Sequence, residues 1–268
     1  MSETTSDRHN GIRRGGARRI GVLAYGAIAY LVFLASVLYA IAFLADVIVP
    51  HTVDSGRATG AVWTAVLVDL LLLSAFAIQH SVMARPGFKR WWTRFVPESI
   101  ERSTYVLLAS LILLGIFWLW QPLPAIVWDV GWTPARVVLW AVYLAGWALV
   151  VTSTFMIDHF DLFGLRQVYR RARAMDPASL GFRAPMLYRI VRHPIMTGFF
   201  IAFWATPTMT WGHLLFAAVA SGYIIVAVRF EEHDLRQALP EYAGYADRTP
   251  RFVPGVAHRA ADPLPGPY

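Results

Sequence analysis

A chain of 268 residues that is 57% hydrophobic and only 15% charged falls outside the range of soluble domains, in which roughly a quarter of the residues carry charge. It is expected to be an integral membrane protein. Its net charge of +7 comes from basic residues between apolar runs, without the aromatic-basic array of a nucleic-acid binder, and the absence of cysteine excludes disulfides, thiolate metal ligands and a cysteine nucleophile.

Residues 1–19, MSETTSDRHNGIRRGGARR, are polar and rich in Gly and Arg, and are expected to be mobile. The apolar runs 20–49, 61–84, 104–121 and 136–157 each approach the roughly 20 residues that a spanning helix needs. The run 194–229 is too long for one helix and breaks at ATPTMTWGH, where Pro207 removes a backbone donor and Gly212 loosens the turn. It is expected to form a helical hairpin, 194–206 and 211–229, with a short first arm. The tail 255–268 is expected to be irregular. The fold class is therefore all-α: a polytopic membrane bundle of four spanning helices (20–157) followed by a loop, hairpin and carboxy-terminal region (158–254).

Arg8, Arg13, Arg14, Arg18 and Arg19 precede the first run. Arg85, Lys89, Arg90, Arg94 and Arg102 follow the second, and a third group from Arg166 to Arg192 follows the fourth. The loops on the other side hold Arg57 and Arg136. By the positive-inside rule the amino terminus, the second and fourth loops and the tail face the cytoplasm. The location expected is a bacterial inner membrane, with lipids as partners.

Three stretches carry residues suited to chemistry. His80, in IQHSVMAR, closes the second run, and its imidazole titrates near neutral pH; it suits a general base and equally a helix-to-helix hydrogen bond. Asp69 in the same run is one of the rare acids inside a span, and pairing with a polar group on a neighbouring helix is the expected use. The stretch DHFDLFGLRQVYRR places Asp158, His159, Asp161, Gly164, Arg166 and Gln167 where the fourth run leaves the bilayer. It reads either as a solvated helix exit or as one wall of a polar site. Finally, VRHPIMTGFF sets Arg192, His193 and Pro194 against an apolar run, and RFEEHDL follows its return. A hairpin brings His193 back to the membrane surface that holds Glu231 and Glu232, beside the positive end of the helix beginning at Pro194. Tyr242 and Tyr245 could close over such a site.

The stretches RHPIMTG, RFEEHDL and YAGYADRTPRFVP together resemble the carboxy-terminal signature of the isoprenylcysteine and phospholipid methyltransferases. QHSVMARPGFKRWWTRFVPESIERSTYVLLASL and HFDLFGLRQVY are more discriminating and look like the bacterial methanethiol S-methyltransferase branch, with the NnrU proteins as neighbours. Met196 stands where the wider family has Tyr, so no role is carried onto it. The resemblance implies S-adenosylmethionine as cofactor, a small volatile thiol as substrate and no metal. It implies in-line methyl transfer to a thiolate, with dimethyl sulfide as product. The cofactor-binding residues it implies are Gln167, Tyr188, Arg192, His193, Pro194, Gly198, Glu231 and Glu232. The candidates for the base that makes the thiolate are His80, His159 and Asp161. A lipid amine, a prenylated thiol or another thiol is the rival acceptor, and an NnrU-like accessory or transport role is the rival without catalysis.

Overall fold

The computed structural model describes residues 4–56, 60–173, 175 and 184–255. The expected all-α membrane architecture holds: five helices are long and apolar enough to cross a membrane. These are α1 (Thr4–Ala45), of which Arg19–Ala45 is the apolar part, α2 (Val62–Ala84), α4 (Glu98–Leu119), α5 (Thr133–Ile157) and α9 (Trp211–Ala238). Shorter helices lie between and after them: α3 (Pro86–Trp92), α6 (His159–Leu162), α7 (Leu165–Ala172), the apolar α8 (Pro194–Trp204) and α10 (Pro240–Arg248). A 3-10 turn covers Met186–Arg189. The expected tail lies, past Gly255, outside the described residues.

Element ends follow local chemistry. The first run stops at Ala45 because Asp46 and Ile48 take left-handed φ values of 57° and 67°. Helix α4 starts at Glu98, ahead of the apolar residues, and carries Glu98 and Glu101 in its first turn, where acids suit the positive helix end. Helix α9 runs on to Ala238 because Arg229, Glu231, Glu232 and Arg236 are good helix formers although no longer apolar. Two short strands, β1 (Ile126–Asp129) and β2 (Thr208–Thr210), form a small sheet that the apolar pattern does not signal.

Packing divides the chain into two units that interleave along the sequence. The first comprises Met1–Val127, Asp158–Ser179 and Met209–Phe216. In it α1 packs on α4, α4 on α2, and α7 against α1 and α4. An aromatic core joins Phe43 to Phe117 (ring centroids 4.7 Å apart), Trp120 (5.9 Å) and Phe216 (6.1 Å). Trp120 Nε1 donates to Val53 O at 3.1 Å. Asp69 is fully buried and accepts at 2.9 Å from a backbone donor, Gln121 N, just past the end of α4, rather than from a side chain on a neighbouring helix. Helix α1 approaches α7 closely enough that a Cβ on Gly26 would lie 2.8 Å from Val168 Cγ2.

The second unit comprises Trp128–Ile157, Leu180–Thr208 and Ala217–Tyr268. Helices α5 and α8 meet backbone to backbone: a Cβ on Gly146 would lie 2.8 Å from Ala202 N and 2.9 Å from Gly198 O, and one on Gly198 would lie 2.7 Å from Gly146 O. In lipid, where apolar side chains gain little by leaving the solvent, such small-residue contacts are what hold helices together. Gly146→Leu is therefore expected to lower the thermal unfolding midpoint in detergent, at a cost of about 1–3 kcal/mol from overpacking. Gly222→Ala, where an added Cβ meets nothing within 4 Å, should leave the midpoint unchanged or slightly raised.

Candidate active site

Pro194 at the first position of α8 leaves His193 as its N-cap, and the segment following α10 lies alongside. Arg192 N donates to Pro250 O (2.9 Å), His193 N to Arg251 O (3.1 Å) and Thr197 Oγ1 to Phe252 O (2.9 Å). This pairing delivers three side chains to one carboxylate. Glu232 Oε1 accepts from Arg192 Nε at 2.8 Å and lies 2.9 Å from His193 Nε2. Glu232 Oε2 accepts from Arg251 Nε (3.1 Å) and Nη2 (2.6 Å). An ionised carboxylate only accepts, so His193 Nε2 carries the proton in this contact. The other ring nitrogen, Nδ1, lies 3.9 Å from Glu231 Oε2, on a side chain that is 53% exposed.

Burial sets the character of this hub. The Arg192 side chain is 0% exposed, that of Glu232 4% and that of His193 9%. Arg192 Nη1 donates to Ala246 O and Thr249 O, both at 2.5 Å, at the end of α10 where helix carbonyls lack partners. Its other terminal nitrogen, Nη2, is buried with no hydrogen-bond partner among the described residues. Two guanidiniums face a single carboxylate at the centre, so a donor with positive charge to spare is held ready in a dry place.

Tyrosines form the adjoining wall. Tyr245 Oη donates to Tyr188 O at 2.5 Å, Tyr188 Oη to Ser153 O at 3.4 Å, and the Tyr242 and Tyr245 rings meet edge-on at 5.7 Å. Burial raises the Tyr188 hydroxyl well above its ordinary range, and the charge of Glu231 adds to this. Burial also raises Tyr242 and pushes Tyr245 up to about 12. All three hydroxyls therefore keep their protons at neutral pH.

The residues proposed to act as base belong to the first unit. Asp158 caps α6, accepting from Asp161 N at 3.1 Å, and pairs with Arg166. Gly164 takes φ 82°, and a Cβ there would lie 2.7 Å from Ser103 N and Oγ. Arg102 Nε donates to Leu162 O at 2.9 Å. Much of the polarity in DHFDLFGLR thus builds a tight turn docked on α4. His159, buried in that turn, stands with Nε2 2.8 Å from Tyr30 Oη and its ring edge-on to Phe163 at 4.8 Å. Desolvation lowers its pKa, so the ring is neutral at pH 7. Asp161 is half-buried in the same turn, and Gln167 follows on α7 with its Oε1 buried and unpartnered among the described residues. His80 has its ring nitrogens each 3.0 Å from Tyr105 Oη and stacks on Phe76 at 5.1 Å.

The second unit thus gathers Tyr188, Arg192, His193, Pro194, Glu231 and Glu232 about one hub, while Gly198 turns its Cα to α5. The carboxylate that Arg192 meets is that of Glu232. Arg251 was signalled by the PRFVP stretch; Tyr30 and Tyr105, inside apolar runs, carried no signal. Among the described residues no three His, Asp or Glu gather as metal ligands.

The chain is 59% identical over 225 residues to a methanethiol S-methyltransferase of Mycobacterium tuberculosis, an overlap covering 84% of this chain and 92% of that protein. It is 51% identical over 237 residues to methanethiol S-methyltransferase 2 of Bradyrhizobium diazoefficiens, covering 88% and 91% of the two chains. Nurim of Bos taurus is 30% identical over 178 residues, 63% of this chain and 67% of that one. No family model matches the chain, and no solved structure does. The chain belongs to the methanethiol S-methyltransferase family, a bacterial family of membrane enzymes.

Two outcomes follow from the buried charges. Glu232→Gln leaves Arg192 and Arg251 facing each other without a countercharge and should cost about 3–5 kcal/mol in unfolding free energy, read by thermal unfolding in detergent. His159 has a folded-state pKa below its ordinary value of 6.5, so the unfolded chain binds the extra proton first. Its contribution to stability is complete above about pH 6.5 and is lost as the pH falls. Between about pH 7.5 and pH 5.5, His159→Gln should therefore lose less of its midpoint than the wild-type protein does.

Proposed function

We propose that this chain methylates methanethiol to dimethyl sulfide with S-adenosylmethionine as methyl donor, from the cytoplasmic side of a bacterial inner membrane. The observation that carries the reading is the buried hub about Glu232, with its spare Arg192 Nη2 donor, in a chain of this family. The topology rests on the basic stretches, which lie on one side of the apolar runs.

The hub suits the proposed cofactor group by group. Arg192 Nη2 is a buried cationic donor without a protein acceptor among the described residues, the natural mate of a carboxylate. Glu231, largely exposed, is an acceptor for an ammonium or ribose hydroxyls. Glu232, fully engaged, holds Arg192 and His193 in place. The protonated hydroxyls of Tyr188, Tyr242 and Tyr245 offer uncharged polar surface, and Pro194 fixes the start of α8. Gln167, in the other unit and with its Oε1 buried and unpartnered among the described residues, is a candidate through the family resemblance alone. When bound, S-adenosylmethionine supplies a methyl group activated by a sulfonium, so neither a metal nor a covalent enzyme intermediate is required.

The protein's tasks are to orient and to deprotonate. Alignment of the reacting atoms can supply about 7–11 kcal/mol of the barrier. A thiol is mostly protonated at neutral pH and its anion is the nucleophile, so a proton acceptor is worth about 100-fold to 10,000-fold. His159 comes first among His80, His159 and Asp161: it lies in the turn after α5, outside the spanning helices, and burial keeps its imidazole neutral and able to accept. The adjacent Tyr30 hydroxyl fixes the ring.

Purified protein in detergent, given S-adenosylmethionine and methanethiol, should release dimethyl sulfide into the headspace. His159→Ala should lower kcat by about 100-fold or more with donor affinity little changed. The same loss in His80→Ala or Asp161→Asn, with His159→Ala active, would move the base to that residue. Product from a prenylated thiol but none from methanethiol would overturn the substrate.

A further inference from the structure

Ser153 lies on α5, on the face that continues from Gly146 and Val150 at helical spacing. That face meets α8: a Cβ on Gly198 would lie 2.8 Å from Val150 Cγ2 and 2.9 Å from Val150 N. Ser153 is 0% exposed, and its Oγ is buried with no hydrogen-bond partner among the described residues.

A buried helical hydroxyl has an easy remedy, which is to bond a carbonyl one turn back. Its two chain neighbours take it. Thr152 Oγ1 donates to Ala148 O and Thr154 Oγ1 to Val151 O, each at 2.7 Å. Ser153 leaves the same option unused, although burying an unsatisfied hydroxyl is costly. Its own carbonyl accepts from Tyr188 Oη at 3.4 Å, and the Tyr188 carbonyl accepts from Tyr245 Oη at 2.5 Å. The charge of Glu231 acts on the Tyr188 hydroxyl, and Glu231 Oε2 lies 3.9 Å from His193 Nδ1. The residue that bears the unused hydroxyl is thus joined, through its carbonyl, to the wall that leads to the hub.

We infer that the Ser153 hydroxyl is a further cofactor contact, bonding a polar group of the bound sulfonium nucleoside. This rests on the S-adenosylmethionine reading given above. The inference gives fold and binding opposite signs. Without ligand, the hydroxyl is a buried group left unsatisfied, so removing it relieves the free protein. With ligand, it forms a hydrogen bond that alanine cannot.

The test uses full-length protein in detergent, wild type and Ser153→Ala, titrated calorimetrically with S-adenosylmethionine and melted without ligand. Ser153→Ala should bind about tenfold more weakly, with a ligand-free midpoint equal to or above that of the wild type. In turnover it should raise the KM for the donor by a similar factor and leave kcat within about twofold. Wild-type affinity in Ser153→Ala would overturn the inference, as would a lowered ligand-free midpoint, which would give the hydroxyl a role in the fold. Failure of the wild type itself to bind S-adenosylmethionine would overturn the cofactor reading and this contact with it, whereas wild-type binding with an unaffected Ser153→Ala overturns this contact alone.

Discussion

A carboxylate buried on a helix that is otherwise apolar for most of its length is the constraint on which the second unit depends. Isolated, the Glu232 charge would be prohibitive to bury. It is met by Arg192, 40 residues earlier, and by Arg251, 19 residues later. Satisfying one side chain therefore fixes the start of α8, the polar end of α9 and the segment after α10. Arg192 extends the hold through Ala246 O and Thr249 O. Such a cluster is weak evidence for net stability, since well-packed apolar groups can do as well or better. Its use is to set geometry, and here the geometry holds an imidazole between two glutamates and keeps one guanidinium donor in reserve.

The apolar parts of the two units obey a different rule. Exposed Leu31, Leu38, Leu71, Val137 and Leu144 are surplus for a soluble protein and ordinary for one facing lipid. Because lipid is as apolar as these side chains, burial alone does not pull one helix to another. Close approach at glycines does so instead, with the Val168 side chain seated on Gly26 in the first unit and backbone meeting backbone at Gly146 and Gly198 in the second. Gly164 adds a local version: its left-handed φ of 82° and lack of a Cβ let the turn carrying His159 sit directly on Ser103.

The legible part of the sequence was the part governed by length and polarity. Apolar runs of spanning length, broken by Pro207, were enough to place the helices and to return Glu231 and Glu232 toward His193. Which glutamate would enter the interior was not legible, because adjacent residues on a helix point about 100° apart and only packing selects between them. The strands β1 and β2 were invisible because such short segments between apolar runs carry no period. In DHFDLFGLR the residue types were legible as a cluster, but Asp158, Gly164 and Arg166 serve largely to make a turn. Tyr30 and Tyr105 have their partners through hydroxyls that a hydropathy pattern counts as apolar rings. Ser153 was hidden between two threonines whose hydroxyls behave conventionally.

A buried, apolar setting fits the proposed chemistry for a reason that concerns charge. An anionic sulfur and a cationic sulfonium react to give two neutral products, so charge disappears along the reaction coordinate. A medium that solvates ions poorly raises the reactants more than the transition state. The same medium works against the preceding step, because forming a thiolate beside a buried imidazolium creates two charges where there were none. Were His159 the base, as proposed, its lowered pKa would express that cost from the side of the imidazole. A thiolate made in such a setting would be short-lived, either consumed by methyl transfer or reprotonated, and a cationic donor held nearby would favour the first outcome by lowering the energy of the anion. Binding of the donor ahead of deprotonation is thus the order that the electrostatics of the proposed reaction favour.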